Sequence, residues 1–322
     1  MALLAEYKAT LKSPAVEEPI DLWVHRPLAF IIAKLSSHTS ITPNQLTALS
    51  MGLGCASGLF LFTGQPRAAL VAAFLLFLSQ VVDCSDGMLA RMRRGGSELG
   101  RMLDGCADSF TMLFAVSGAL YTMLQSAPQP HGWQALALIA ATILTAYTSS
   151  LHTSGYDYFK NLYLRVTVPN NHEGEDVEHA VERWELARQG DYTLALSLVF
   201  PIYVGYLRAQ RRMISWFDPG ALVRLERLPA YDARAAQAFE REMRPLMTIW
   251  RSLFGVGSLT FGLALFIALG HVEIYLFYRL VFLNAVFFFY LMPAQRAASR
   301  RALDAIVVTR PSPEDADRLL HA

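Results

Sequence analysis

Apolar runs of membrane length leave a polypeptide few choices. Backbone in hydrocarbon must satisfy its own hydrogen bonds, and only helices or closed barrels do so. This chain carries several such runs, among them AALVAAFLLFLSQVV (68–82) and SFTMLFAVSGALYTML (109–124). Between these two lie four aspartates, Asp83, Asp86, Asp104 and Asp108. An aspartate at the centre of a membrane helix costs roughly 2.5–3.5 kcal/mol on insertion scales. Four so close together demand compensation, and divalent cations are its natural source.

Their spacing shows how cations would be shared. Asp83, Asp86, Gly87, Ala90 and Arg91 follow one another at helical intervals and share one face. Gly100, Asp104 and Asp108 do the same at intervals of four. The basic turn RMRRGGSE between them lets the two helices fold back antiparallel, so that two carboxylates from each converge. Oxygen ligands on one or two ions suit Mg²⁺ or Mn²⁺. Gly87 and Gly100 admit phosphates close to the backbone, and Arg91 offers a fork for a phosphate.

The segment DCSDGMLARMRRGGSELGRMLDGCAD resembles the motif of the CDP-alcohol phosphotransferases, D-x2-D-G-x2-A-R-x8-G-x3-D-x3-D, without departure. The resemblance implies a reaction in which an alcohol attacks the β-phosphorus of a CDP-linked substrate and CMP leaves. It implies two divalent ions held by Asp83, Asp86 and Asp104, with Asp108 contributing to the metal site and acting as base for the acceptor hydroxyl. Gly87, Ala90, Arg91 and Gly100 would shape the cytidine diphosphate pocket. In PNQLT, a second segment familiar from the family, Asn44 and Thr47 are further candidates for that pocket; capping of the helix alone explains them equally well. Partners implied are the CDP-linked donor, an alcohol acceptor, the lipid bilayer and a second copy of the chain.

Composition agrees with a membrane location. Of 322 residues 53% are hydrophobic and 17% charged, below the quarter or so usual in soluble domains. Net charge is +1 and the basic residues are scattered, which gives nucleic-acid binding no support. Cys55, Cys84 and Cys106 read as apolar fillers, not as a disulfide framework. The first residues lack an apolar core followed by a cleavage site, so no signal peptide is expected.

The expected fold is an all-α integral membrane protein, a bundle of six transmembrane helices with an N-terminal interfacial helix and a cytoplasmic helical insertion. Residues 1–37 begin with a mobile polar lead and continue as an amphipathic helix (20–37) whose Trp23 lies with Arg26 and Lys34 at the interface. Residues 38–165 hold four spans, at 43–63, 68–88, 99–124 and 133–150. Gly52, Gly54 and Gly58 in the first suit close helix packing. Residues 166–248 form the insertion, and 249–322 the last two spans (250–269 and 274–292) with a tail. The stretch 192–207, broken by Pro201, is placed at the interface or against the bundle. Arginine placement puts both termini and the aspartates on the cytoplasmic side, in a bacterial inner membrane. Arg279 inside the last span is expected to snorkel outward, and Asn284 to bond a neighbouring helix.

The fourth span runs on through HTSGYDYFKNLYLR, where His152, Tyr156 and Lys160 recur every four residues with Arg165 beyond. These are candidates for the acceptor, which favours CDP-diacylglycerol as donor and a polar head-group alcohol as acceptor. The alternative is transfer from a CDP-choline or CDP-ethanolamine type donor to diacylglycerol. Outside the family, a UbiA-like prenyltransferase uses intramembrane aspartates and Mg²⁺, but on widely separated motifs. An ion transporter has no need of Gly and Arg at phosphate-binding positions.

Overall fold

A computed structural model describes residues 2–11, 13–93, 95, 98–126, 129–169, 181, 194–219 and 233–308. Every element among them is helical. The charged stretch around 173–189 and most of 219–232 lie outside the described residues.

Chain entry differs from the mobile lead expected. Residues Ala2–Thr10 form helix α1, and Val16, Glu17 and Glu18 are buried. A π-turn at Asp21–His25 leads into α2 (Arg26–Ser37). One side of α2 packs inward through Ala29, Phe30 and Ala33, while Trp23, Leu28, Ile31 and Leu35 are exposed. That uncovered row of apolar side chains is what an interfacial helix presents to lipid.

Helix α3 (Pro43–Leu61) opens as its sequence dictates. Thr42 and Gln45 form a reciprocal capping box and Pro43 occupies the first turn. It runs antiparallel to α4 (Pro66–Met92), stapled by Ser57 Oγ donating to Ala72 O at 2.8 Å and Ser79 Oγ to Ser50 O at 2.7 Å. It runs parallel to α5 (Glu98–Gln125), and here backbones nearly touch. A Cβ on Gly58 would fall 2.3 Å from Phe114 O, and one on Gly118 2.6 Å from Gly58 O. Gly54 is similarly filled by Thr111, whereas Gly52 faces open space and takes no part in the packing. Small residues thus bring α3 against the two helices that carry the aspartates.

Helix α6 (Trp133–Thr167) is a single run of 35 residues, so the fourth span and its extension are one element. Helix α7 (Leu194–Phe217) contains Pro201 and packs on the bundle, with Phe200 and Val204 against Met102 and Gln210 donating to Ser154 O. Helix α8 (Ala233–Leu253) leads through a break at Phe254–Gly255 into α9 (Val256–Ala268). The last element begins as α10 (Val272–Phe277), passes two π-turns and ends as α11 (Met292–Val308).

Among the described residues, five helical stretches are long and apolar enough to cross a membrane: Pro66–Met92, Met102–Gln125, Trp133–Thr167, Ala233–Ala268 and Val272–Ala302. The chain is therefore read as an integral membrane protein. The sixth expected span, α3, is not among them, because Asn44, Gln45, Thr47 and its serines and glycines dilute its apolar character. The three cysteines are unpaired.

The break before α9 is closed by Glu18. Its carboxylate accepts from Gly257 N at 3.1 Å, Ser258 N at 2.7 Å and Ser258 Oγ at 2.8 Å, at a helix N-terminus. Burial nevertheless pushes the Glu18 carboxyl up to about 8; the Asp21 charge adds to the rise and the Ser258 and Gly257 donors oppose it. The folded value lies above the ordinary 4.5. Its contribution to stability is complete below that ordinary value and lost as pH rises through the folded one. Glu18→Gln keeps an acceptor and removes the titration. Its thermal midpoint in detergent, relative to the unsubstituted protein, should climb from about pH 5 to about pH 9; a constant offset would contradict this account.

Candidate active site

Helices α4 and α5 place their aspartates as the spacing predicted. Carboxylate oxygens of Asp83, Asp86 and Asp104 all lie within 4.8 Å of one another. Asp108 stands one turn further along α5, close enough for its charge to act on Asp83, and for those of Asp104 and Asp86 to act on it. Like charges at this separation in apolar surroundings are strongly unfavourable without a cation between them. The donor set consists of hard oxygen atoms, which fits Mg²⁺ or Mn²⁺ and not a thiolate-seeking metal.

Helix α3 reaches the cluster through Thr47, which is buried and donates its hydroxyl to Asp86 Oδ2. Asn44, one turn earlier, is half-buried. Of the two candidates from PNQLT, Thr47 is thus the one in contact with the acidic cluster. Gly87, Ala90, Arg91 and Gly100 are half-buried beside it. The Arg91 guanidinium folds back over Gly87, where a Cβ would lie 3.4 Å from its Nη1. Two residues on, Arg93 staples the end of α4 to the turn before α3, donating to Ile41 O at 2.6 Å, Ser36 O at 2.9 Å and Thr39 O at 2.8 Å.

The proposed acceptor face on α6 does not assemble as one surface. Lys160 pairs with Asp157 at 2.8 Å and lies over the Tyr156 ring. Tyr156 is buried and donates its hydroxyl to Val16 O of the N-terminal segment. Arg165 is exposed. His152 is fully buried between Phe254 and Phe287, with ring centroids 4.9 and 4.6 Å away.

What His152 faces instead is a group of residues the sequence reading did not connect with it. Arg279 does not snorkel outward: it is 2% exposed and donates Nε to Ser149 Oγ at 3.2 Å. It forms no ion pair among the described residues, and its Nη2 has no hydrogen-bond partner there. Asn284 bonds α6 as expected, through Thr148 Oγ1 at 3.1 Å, and leaves its Oδ1 unsatisfied. The His152 ring lies beside the Asn284 side chain, though neither ring nitrogen makes a well-aligned hydrogen bond among the described residues. The Arg279 guanidinium is thus buried against the hydroxyls of Ser149 and Tyr275, with His152 and Asn284 nearby. An arginine and an asparagine inside an otherwise apolar span were the available signal.

Beside the cluster runs a second set of buried charges that the sequence reading also missed. Arg26 Nε pairs with Glu17 at 2.7 Å, and His25 Nδ1 with Asp21 at 2.8 Å. The charges of Glu18 and Asp21 reach Asp108.

Aspartates from two antiparallel apolar helices thus meet beside Gly87 and Arg91. Residues 40–162 match the CDP-alcohol phosphatidyltransferase family, whose members are transferases of substituted phosphate groups. The chain is similar to a phosphatidylinositol phosphate synthase of Corynebacterium glutamicum, with 29% identity over 180 residues covering 52% of this chain and 81% of that protein. It is 32% identical over 105 residues to a CDP-diacylglycerol–serine O-phosphatidyltransferase of Mycobacterium leprae, covering 32% of this chain and 33% of that one. It is also 28% identical over 135 residues to the inner membrane protein YnbA of Escherichia coli K12, covering 42% and 63%.

Proposed function

We propose that this chain transfers a phosphatidyl group from CDP-diacylglycerol to a polar alcohol that carries its own negative charge, releasing CMP. The observation that carries the family chemistry is the convergence of Asp83, Asp86 and Asp104 within 4.8 Å, in motif register with Gly87 and Arg91. The donor follows from the printed name of the M. leprae relative, and a phosphorylated acceptor from that of the C. glutamicum one.

In this reading Asp83, Asp86, Asp104 and Asp108 hold two divalent ions, Mg²⁺ or Mn²⁺. Such ions supply charge neutralisation on a diphosphate and on the oxygens entering and leaving phosphorus. The protein's own groups do the rest. Thr47 fixes the Asp86 carboxylate, so that one acidic ligand is oriented before substrate arrives. Gly87 and Gly100 leave room for the diphosphate, Ala90 lines the same face and Arg91 binds a phosphate oxygen; Asn44 completes the cytidine side. Asp108 takes the proton from the acceptor hydroxyl as its oxygen bonds to phosphorus and the bond to CMP breaks.

The acceptor's anion is placed at Arg279, His152 and Asn284. A buried cation without a carboxylate needs a counter-charge from elsewhere. Ser149, which accepts from Arg279, and Ser109, next to Asp108, each lie about sixteen residues from the facing ends of α6 and α5, or about 24 Å along their axes. The pocket and the base therefore sit at similar depth. This replaces Lys160 and Arg165 as the acceptor's cations. Transfer to diacylglycerol from CDP-choline or CDP-ethanolamine gives Arg279 no partner, which is why it stands second.

The topology that fits is six spans with α3 as the first, α2 at the interface, and the acidic cluster facing the cytoplasm of a bacterial inner membrane. The homodimer is carried over from the family resemblance.

Two measurements test the reading. CMP release from CDP-diacylglycerol should vanish in EDTA and return with Mg²⁺ or Mn²⁺, and Asp83→Asn, Asp86→Asn or Asp104→Asn should each lower turnover by about a thousandfold or more. Undiminished turnover in EDTA would sink it. Arg279→Gln should raise the KM for a phosphorylated acceptor by about tenfold or more and leave the KM for CDP-diacylglycerol within about twofold. Equal changes in both constants would move Arg279 out of the acceptor site.

A further inference from the structure

The segment before α2 is fastened across the bundle by an unusual set of contacts. Few of them follow an apolar pattern; most are side chains of the bundle donating to its backbone carbonyls. Arg251 Nη1 donates to Pro14 O at 3.1 Å and Glu17 O at 3.0 Å, and Tyr156 donates to Val16 O. Arg91, the arginine of the motif, donates Nε to Thr10 O at 2.6 Å. Thr10 is the last residue of α1 and is 3% exposed. Helix α1 itself is docked on α2 by Glu6 with Lys34 at 2.5 Å, by the Tyr7 ring against Phe30, and by Tyr7 Oη donating to Leu22 O.

We infer that the N-terminal segment positions the motif arginine for the CDP donor: Thr10 O, held by α1, fixes the plane of the Arg91 guanidinium over Gly87. This rests on the reading of Arg91 as a donor-phosphate ligand. Arginine recognises phosphate through the paired hydrogens of its fork, so its usefulness depends on the orientation of the plane. A carbonyl on Nε removes the rotation that would turn the plane away from a ligand. The bond spans residues 81 apart in sequence, joining the motif to a segment outside residues 40–162. Thr10 is therefore a positioning residue, acting through its backbone oxygen, and α1 is the clamp that keeps it there.

Because a carbonyl cannot be removed by substitution, the test loosens the clamp in the full-length chain. Glu6→Lys/Tyr7→Ala puts like charges at the Lys34 contact and deletes the Tyr7 ring. The KM for CDP-diacylglycerol should rise by about five- to tenfold, with kcat and the acceptor KM within about twofold. Arg91→Lys, which has no Nε, should raise the donor KM on its own, and adding the clamp substitutions to it should change that constant by less than about twofold. The same increment in both backgrounds, or a parallel change in kcat and both KM values, would overturn the positioning role. Glu6→Lys alone, a milder change at a part-exposed site, should move the donor KM in the same direction; an unchanged value in a normally stable protein would count against the inference. A donor KM unaffected by Arg91→Lys, with CMP release intact, would instead remove Arg91 from the donor site and leave the clamp without a role.

Discussion

Charge that cannot reach water must meet charge or dipole inside the protein, and the arrangement of this molecule follows from that requirement. Between α4 and α5, three carboxylates are carried to one point with a fourth one turn away. The helices are held at the necessary separation by α3, whose glycines allow backbone contact with α5 and whose serines bond the backbone of α4. Around them the remaining buried charges find partners of three kinds. Glu17 has a guanidinium, Glu18 has a helix N-terminus, and Arg91 has a backbone carbonyl. Arg279 has the hydroxyls of Ser149 and Tyr275 and no ion pair among the described residues.

Much of the acidic centre was legible because helical geometry converts spacing directly into faces. Aspartates three and four apart in apolar helices joined by a short turn have little freedom except to converge, and Asp83, Asp86 and Asp104 do. Cap chemistry was equally local: Thr42, Pro43 and Gln45 carry the whole instruction for the start of α3. The glycines were legible as a set but not one by one. Gly54 and Gly58 face neighbours and Gly52 does not, a distinction that depends on the rotation of the helix and not on composition.

Two features escaped the sequence for different reasons. Residues 2–18 have no marked apolar period, so they read as a polar lead; their order comes from donors more than a hundred positions away, such as Tyr156 and Arg251, acting on carbonyls that every residue possesses. Arg279 was ambiguous in principle. A long basic side chain in a span either stretches to the interface or turns inward, and the choice is made by what the facing helix offers. Here α6 offers the Ser149 hydroxyl. The face of α6 predicted to hold an acceptor was correspondingly split, since Asp157 claims Lys160 and the N-terminal segment claims Tyr156.

The modest apolarity of α3 has a consequence for how the protein enters the bilayer. A segment whose serines, threonine and glycines are matched by Ala72, Ser79, Asp86, Thr111, Phe114 and Gly118 has little reason to leave the translocation channel by itself. Those partners are all synthesised after it. Were α3 to cross the bilayer as the first of six spans, it would wait, unreleased, until α4 had emerged as the other arm of a hairpin, and its final seating would follow α5. The acidic centre would then be completed late, by helices entering together instead of one at a time.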